Sequence, residues 1–215
     1  KMFTAAIAYA DLPALDRVAK GAGVRIDGGD VILYGRGDAR LSSAANCTTD
    51  CLQTLADAVA AHSRHVRNVV GDDSWLPDER WGPGMSWNNI QSRYGTAISA
   101  LTLDDNEVTG TVTPGSVGHS PTVAASPYYD IDNRIMTVPG KDDAIVVERA
   151  PYSRLIRLTG TICADVEPAI LHFSIDDPAH YAAWRLRDLL RERGVTVDGD
   201  VLTRHRPFSP ADDPA

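Results

Sequence analysis

The chain has 215 residues, 43% hydrophobic and 23% charged, an ordinary balance that leaves room for one large domain or two small ones. Its 21 basic and 29 acidic side chains give a net charge of −8, which repels nucleic acid and anionic membrane surfaces and argues against both as partners. No stretch approaches the roughly 18 apolar residues of a membrane span. The apolar opening, Met2 to Ala10, lacks a basic flank and a cleavage site, so no signal peptide is expected within these residues.

In chain order, Lys1 to Ala10 reads as an alanine-rich helix stopped by Asp11-Leu-Pro13. Val24 to Ile26 and Asp30 to Tyr34 are β-rich runs around Asp27-Gly28-Gly29, a hairpin signal. Gly35-Arg-Gly37-Asp38 lacks the third glycine of a dinucleotide fingerprint and reads as a turn. Thr49 to Ser63 carries a helical stripe of Leu52, Leu55, Ala56 and Val59. Val66 to Val70 is strand-like and leads into Gly71 to Trp75, while Pro77 to Trp87 is a loop holding Trp81-Gly-Pro-Gly84. Ile98 to Leu103 and Glu107 to Thr113 flank Asp104-Asp105-Asn106 as a second expected hairpin.

Pro114 to Pro127, rich in glycine, serine and proline, reads as a loop or a boundary. Strands are expected at Ile145 to Glu148, Leu155 to Ile162 and Ala169 to Ile175. Asp177-Pro178 opens an amphipathic helix over His180 to Arg193, with Tyr181, Ala183, Trp184, Leu186, Leu189 and Leu190 as its buried stripe and Gly194 as its stop. Val195 to Arg204 is strand-like, and the proline-rich tail from Pro207 reads as a linker. These elements give a mixed fold, α/β in content and α+β in its many antiparallel hairpins.

Three cysteines make no complete disulfide framework; Cys47 and Cys51 either close a small loop in an oxidising compartment or stay reduced in a polar turn. No metal site and no cofactor are expected, because the cysteines and the pair His62 and His65 lack further ligands at suitable spacing. The chain contains no GxSxG elbow, HExxH, phosphate loop, KTG or KSG. Ser86-Trp-Asn88 fits SxN only formally. Asp72-Asp73 and Asp104-Asp105 are adjacent carboxylates whose side chains would diverge on a strand, and turn roles are expected for both pairs. Trp75, Trp81 and Trp87 are expected to pack beneath the loop rather than to stack on substrate.

Five blocks share one pattern: Lys1-Met-Phe-Thr-Ala-Ala6, Gly29 to Asp38, Gly71 through Trp81-Gly-Pro-Gly-Met-Ser-Trp87 to Leu101, Thr111-Val-Thr-Pro-Gly115 and Asp177 to Ala183. Together they resemble the penicillin-binding D-Ala-D-Ala carboxypeptidase/endopeptidase family of low-molecular-mass serine peptidases with a large insertion. The resemblance implies the insertion region of a split β-lactamase/transpeptidase-like fold. Residues 1–20 would start that body with its SxxK helix, 21–46 and 127–205 would form an insertion subdomain, 47–126 a nested one, and 206–215 a linker back. Lys1 would be the catalytic lysine of SxxK, with its serine three residues upstream and the SxN and KTG motifs beyond the last residue.

The activity implied is hydrolysis of peptidoglycan stem peptides through an acyl-enzyme, in the periplasm or elsewhere outside the cytoplasm. β-Lactams would trap the same serine in the full-length protein. In relatives the loop after the tryptophan of the WGPG-like block ends in an acid that faces a stem-peptide amino group, and an aromatic five residues later walls that pocket. Asn89 and Tyr94 stand at those positions, so the aromatic is kept and the acid is replaced by an amide. That change removes a charge-assisted hydrogen bond and puts a diaminopimelate preference in doubt. The alternative reading is a non-catalytic peptidoglycan-binding or interaction module.

Overall fold

A computed structural model describes residues 2–10, 21–141 and 143–212. Helix α1 (Met2–Ala10) opens the described chain. Strands β1 (Gly23–Asp27) and β2 (Asp30–Tyr34) form the first expected hairpin, pairing antiparallel with Asp27 opposite Asp30. Gly28 and Gly29 both have positive φ, 55° and 90°, as a two-residue turn matched to strand twist requires. Val31, Ile32 and Leu33 of β2 are all buried, so this strand is covered on both faces.

The burial follows from the sheet order β1-β2-β4-β13, in which β4 (Val69–Pro77) pairs parallel with β2 on one side and with β13 (Val201–Arg206) on the other. Helix α2 (Leu52–His62) buries Leu52, Ala56 and Val59 and packs on β1 and on the long helix α3 (Pro178–Glu192). A Cys47–Cys51 disulfide closes the turn that leads into α2, which settles the pairing left open by spacing.

Helix α3 forms where its stripe predicts. Asp177 caps it by accepting a hydrogen bond from the His180 amide at 2.9 Å, Pro178 sits at its start, and Gly194 at φ 73° follows its end. Its apolar face, from Tyr181 to Leu190, lies on β4, β13 and α2; each fully buried leucine contributes roughly 1.5–3 kcal/mol. Helix and sheet meet closely at Gly71, where an added Cβ would lie 2.0 Å from the Ala179 carbonyl oxygen.

Two further sheets extend the same hydrophobic cluster. One is β11-β5-β6, antiparallel throughout, built from β5 (Glu107–Thr113), β6 (Thr122–Ala125) and β11 (Ala169–Ser174). In the other, β10 (Leu155–Cys163) pairs parallel with β7 (Asp130–Asn133) and β8 (Met136–Val138) and antiparallel with β9 (Ala144–Glu148). A two-residue parallel pair joins β3 (His65–Val66) to β12 (Thr196–Val197). The first sheet thus takes strands from 21–46, 47–126 and 127–205 alike.

Several expectations change. Residues 98–103 do not form a hairpin with β5. Leu101 and Leu103 are buried, but the backbone is spent on distant loops: the Gly37 amide donates to Ala100 O at 2.8 Å and the Asp104 amide to Leu41 O at 3.1 Å. The expected loop at 114–127 contains β6, recruited by pairing with β5. Asp72 and Asp73 lie in β4 rather than in a turn. They are buried and their partners diverge: Arg204 and Ser74 for the first, Ser99 and His205 for the second. Asp104-Asp105 keeps its turn role, with both residues at positive φ.

Candidate recognition loop and the chemistry around it

The segment between β4 and β5 is irregular, yet its backbone is pinned at closely spaced points. At its base the guanidinium of Arg80 donates to Asp176 O at 3.0 Å and to Asp177 Oδ2 at 3.1 Å. Beside it, His205 Nδ1 lies 2.8 Å from Asp73 Oδ1 and its Nε2 lies 3.3 Å from Asp177 Oδ2. The hydrogen bonds to Asp177 and Asp73 raise the His205 pKa to about 10, so this imidazolium ties β13 to β4 and to the start of α3 at neutral pH. Burial opposes the charge on Asp177, but His205, the His180 amide and Arg80 outweigh it and hold its pKa low.

Further along, Trp81 Nε1 donates to Gly95 O at 2.8 Å and closes the loop across its neck. Trp87–Asn89 and Arg93–Gly95 are short 3-10 turns. Gly95 touches the first of them: a Cβ there would sit 2.0 Å from Asn89 O. Ile90 is buried, and its carbonyl accepts from Arg149 Nη2 at 2.9 Å and also from Ser174 Oγ. Arg149 is 1% exposed in its side chain; its Nη1 lies 3.1 Å from Asp176 Oδ1, a charge contact off hydrogen-bond angle. Arg93 Nε meets Glu107 Oε2 at 3.1 Å, and His172 contacts the other oxygen of the same carboxylate.

The loop therefore presents Asn89 and Tyr94 from a braced backbone. Asn89 is exposed, and Tyr94 is 86% exposed with the Arg93 guanidinium 5.8 Å from its ring centre. Lys1, the third residue singled out from the sequence, lies outside the described residues. Trp75 and Trp87 do not pack beneath the loop: they are 61% and 68% exposed, and only Trp81 is partly covered. Ile90, not Trp87, fills the core beneath the turn, and the Trp75 indole lies against the Arg36 guanidinium, 5.6 Å from its ring centre. Ser86 Oγ bonds Asn88 Oδ1 at 2.5 Å in an exposed turn, a local contact rather than an SxN catalytic motif.

Beside the loop, a cleft of about 410 Å³ runs between Trp87, Asn88 and Gln91 and the strands β9 and β10; neither Asn89 nor Tyr94 lines it. Sequence reasoning missed the anchors Arg149, Ser174 and Glu107. Arg149 and Ser174 lie more than 40 residues beyond the loop and Glu107 opens the strand that follows it, and no local pattern marks any of them as an anchor. Among the described residues no cluster of three or more His, Cys, Asp or Glu is placed to hold a metal, and no helix is long and apolar enough to cross a membrane.

Comparison with known proteins agrees with this architecture. The chain is 34% identical to a D-alanyl-D-alanine carboxypeptidase of Actinomadura sp. (strain R39) over 223 aligned positions, covering 94% of this chain and 40% of that protein. Its fold matches penicillin binding protein 4 from Haemophilus influenzae with a TM-score of 0.68 at 17% identity, over 87% of this chain and 44% of that one. A second structure of that protein, complexed with a novel β-lactam, matches with a TM-score of 0.58 at 16% identity, over 87% and 41% of the two chains. The chain thus spans less than half the length of these relatives. The model of the D-Ala-D-Ala carboxypeptidase 3 (S13) family matches residues 1–213, and the chain, mixed α+β in fold, belongs to that family.

Proposed function

We propose that this chain supplies the substrate-recognition region of a serine-type D-Ala-D-Ala carboxypeptidase/endopeptidase that hydrolyses peptidoglycan stem peptides outside the cytoplasm. Family membership over residues 1–213 carries the reading, and the braced loop that holds Asn89 and Tyr94 at the surface supports it. In the reaction a serine hydroxyl attacks the penultimate D-alanine carbonyl, the terminal D-alanine leaves, and water cleaves the acyl-enzyme. Lys1, one helical turn after such a serine, would take the hydroxyl proton, which a lysine does once desolvation and neighbouring cations lower its pKa. A β-lactam acylates the same serine and leaves it blocked.

Asn89 and Tyr94 would face the stem peptide, the amide replacing an acid and the phenol forming a wall. The division of the chain belongs to the same proposal: residues 1–20 and 206–215 join the catalytic body, and 21–205 form the insertion in which 47–126 are nested. Incubating the full-length gene product with a fluorescent penicillin tests the reading. Covalent labelling that is competed by a D-Ala-D-Ala peptide, with release of D-alanine, is expected. Absence of both labelling and release overturns it in favour of a non-catalytic wall-binding module.

A further inference from the structure

The four-stranded sheet has two unlike edges. Among the described residues β1 pairs only with β2, and β13 only with β4. Along β1, Arg25, Ile26 and Asp27 are exposed, and Ile26 keeps 43% of its surface. The direction of its backbone groups follows from β2. Val31 lies opposite Ile26, and its amide donates away from β1, to Asn68 O at 2.9 Å. Opposed residues of an antiparallel pair either exchange both bonds or both face outward, so the Ile26 amide and carbonyl point to the open edge. Beside that edge, Val24 and Ile26 form a groove of about 360 Å³ with Ala58, Val59 and His62 of α2. Val24 and Ile26 lie on the helix side, opposite the core residues Leu33 and Val31, so Arg25 and Asp27 project from the other face.

We propose that the β1 edge pairs antiparallel with β1 of a second copy of this chain, joining the two sheets across a two-fold axis at Ile26. Charge selects both the occupant and the register. Centred on Ile26, the pairing sets Arg25 directly opposite Asp27 of the partner subunit, and the symmetry repeats that pair on the other side of the axis. A register centred on Arg25 or on Asp27 instead sets like charges face to face. The two Ile26 residues exchange backbone hydrogen bonds at the axis, and their side chains meet over the groove beside the small Ala58. Arg25 can turn to this partner: its side chain is 45% exposed and lies 3.7 Å from Asp72, which keeps Arg204 at 3.2 Å and Ser74 at 2.6 Å. The opposite edge is guarded. β13 carries Arg204, His205 and Arg206, and self-pairing centred on Arg204 or on His205 sets cations opposite cations. On β1 the alternating charges discourage foreign strands and match their own copy.

The test follows sedimentation velocity of the full-length gene product over a range of concentrations, with hydrogen exchange on the same samples. A reversible monomer–dimer equilibrium is expected, with slower exchange at the Ile26 amide as the dimer fills. Arg25→Glu and Asp27→Arg each place like charges opposite one another twice per dimer, and each should raise the dimer Kd about 10-fold or more. Mixing the two variants restores opposite charges at both positions, so the mixture should form heterodimers about as tightly as the native chain pairs. A misfolded variant is not rescued by mixing, and a melt of each variant checks its fold. Ile26→Lys, at an exposed position, sets two cations at the axis and should abolish the dimer. A protein that stays monomeric up to about 1 mM overturns the proposal, as does a dimer that leaves Ile26 exchange unchanged. So do a dimer indifferent to these substitutions, folded variants that do not associate on mixing, and open-ended assemblies.

Discussion

Arg149 and Asp176 form a buried ion pair, 3.1 Å between Nη1 and Oδ1, and the same guanidinium holds the Ile90 carbonyl of the loop between β4 and β5 through Nη2. The carboxylate in turn accepts from the Tyr152 amide, so one pair joins the loop, the end of β9 and the approach to α3. Removing one partner strands the other as an uncompensated charge, which costs about 3–5 kcal/mol. Asp176→Ala should lower the urea midpoint accordingly and speed amide exchange at residues 90–95. Replacing both residues together, as Arg149→Met with Asp176→Leu, should recover much of the stability and leave loop exchange fast. An unchanged loop in the double variant would show that the pair stabilises the fold without bracing the loop.

His205 gives the fold a pH signature with a definite sign. Its pKa rises from an ordinary 6.5 to about 10 through its hydrogen bonds to Asp177 and Asp73, with burial opposing and Arg80 alongside. A group whose folded pKa is raised stabilises most below its unfolded pKa and loses that contribution as pH climbs through the folded one. The stability difference between the native chain and His205→Asn should therefore be full near pH 6, shrink above it, and be largely gone above about pH 10. Denaturant melts across this range measure it, and a difference that grows with pH would mean that His205 is bound in its neutral form. Asp30 behaves oppositely: held at about 2 by Arg67, it should add acid sensitivity as pH falls below the ordinary carboxylate range.

What the sequence disclosed depended on how local each signal was. The β1–β2 hairpin needed only Gly28 and Gly29, and α3 announced itself through a capped and periodic stretch ended by Gly194. Asp72 and Asp73 were misplaced because two adjacent acids look like a turn until Arg204 and His205 arrive from 132 residues away. Strands β6, β7 and β8 are only three or four residues long, too short for an alternating pattern to stand out, and they exist because β5 and β10 offer edges. The positions of Asn89 and Tyr94 came from family resemblance, and the residues that brace their loop came from neither pattern nor resemblance. Arg149 reads as an ordinary surface arginine until Ile90 and Asp176 are folded against it.

Gly95 should control loop geometry more than overall stability. Any side chain there meets Asn89 O, because the Cβ would lie 2.0 Å from it, so Gly95→Ala must push the two 3-10 turns apart. A displacement near 1 Å at a substrate-facing position costs up to about 100-fold in rate. Turnover of a stem peptide by the full-length protein should drop by at least about 10-fold, while penicillin labelling, which needs only the serine and its neighbours, changes less. Loss of both in parallel would point to global unfolding, which a melt on the same sample distinguishes.

Asn89→Asp tests the departure from the family pattern directly. Asn89 is exposed, and the recorded hydrogen bonds involve its backbone: its amide donates to Ser86 O at 2.9 Å, and its carbonyl accepts from the Ser92 amide at 3.0 Å and from Ser92 Oγ at 2.8 Å. An aspartate would keep those backbone bonds and fold unchanged, while adding one negative charge where a stem-peptide ammonium is expected to arrive. A hydrogen bond to a charged partner is worth about 1.5–3 kcal/mol, which corresponds to roughly 10-fold to 100-fold in kcat/KM. The gain should appear only for peptides with a free side-chain amine and vanish when that amine is acetylated. It should also shrink with added salt, since the loop is open to solvent. Equal effects on free and acetylated peptides would remove Asn89 from the amine-facing position and leave Tyr94 as the only substrate contact proposed in the loop.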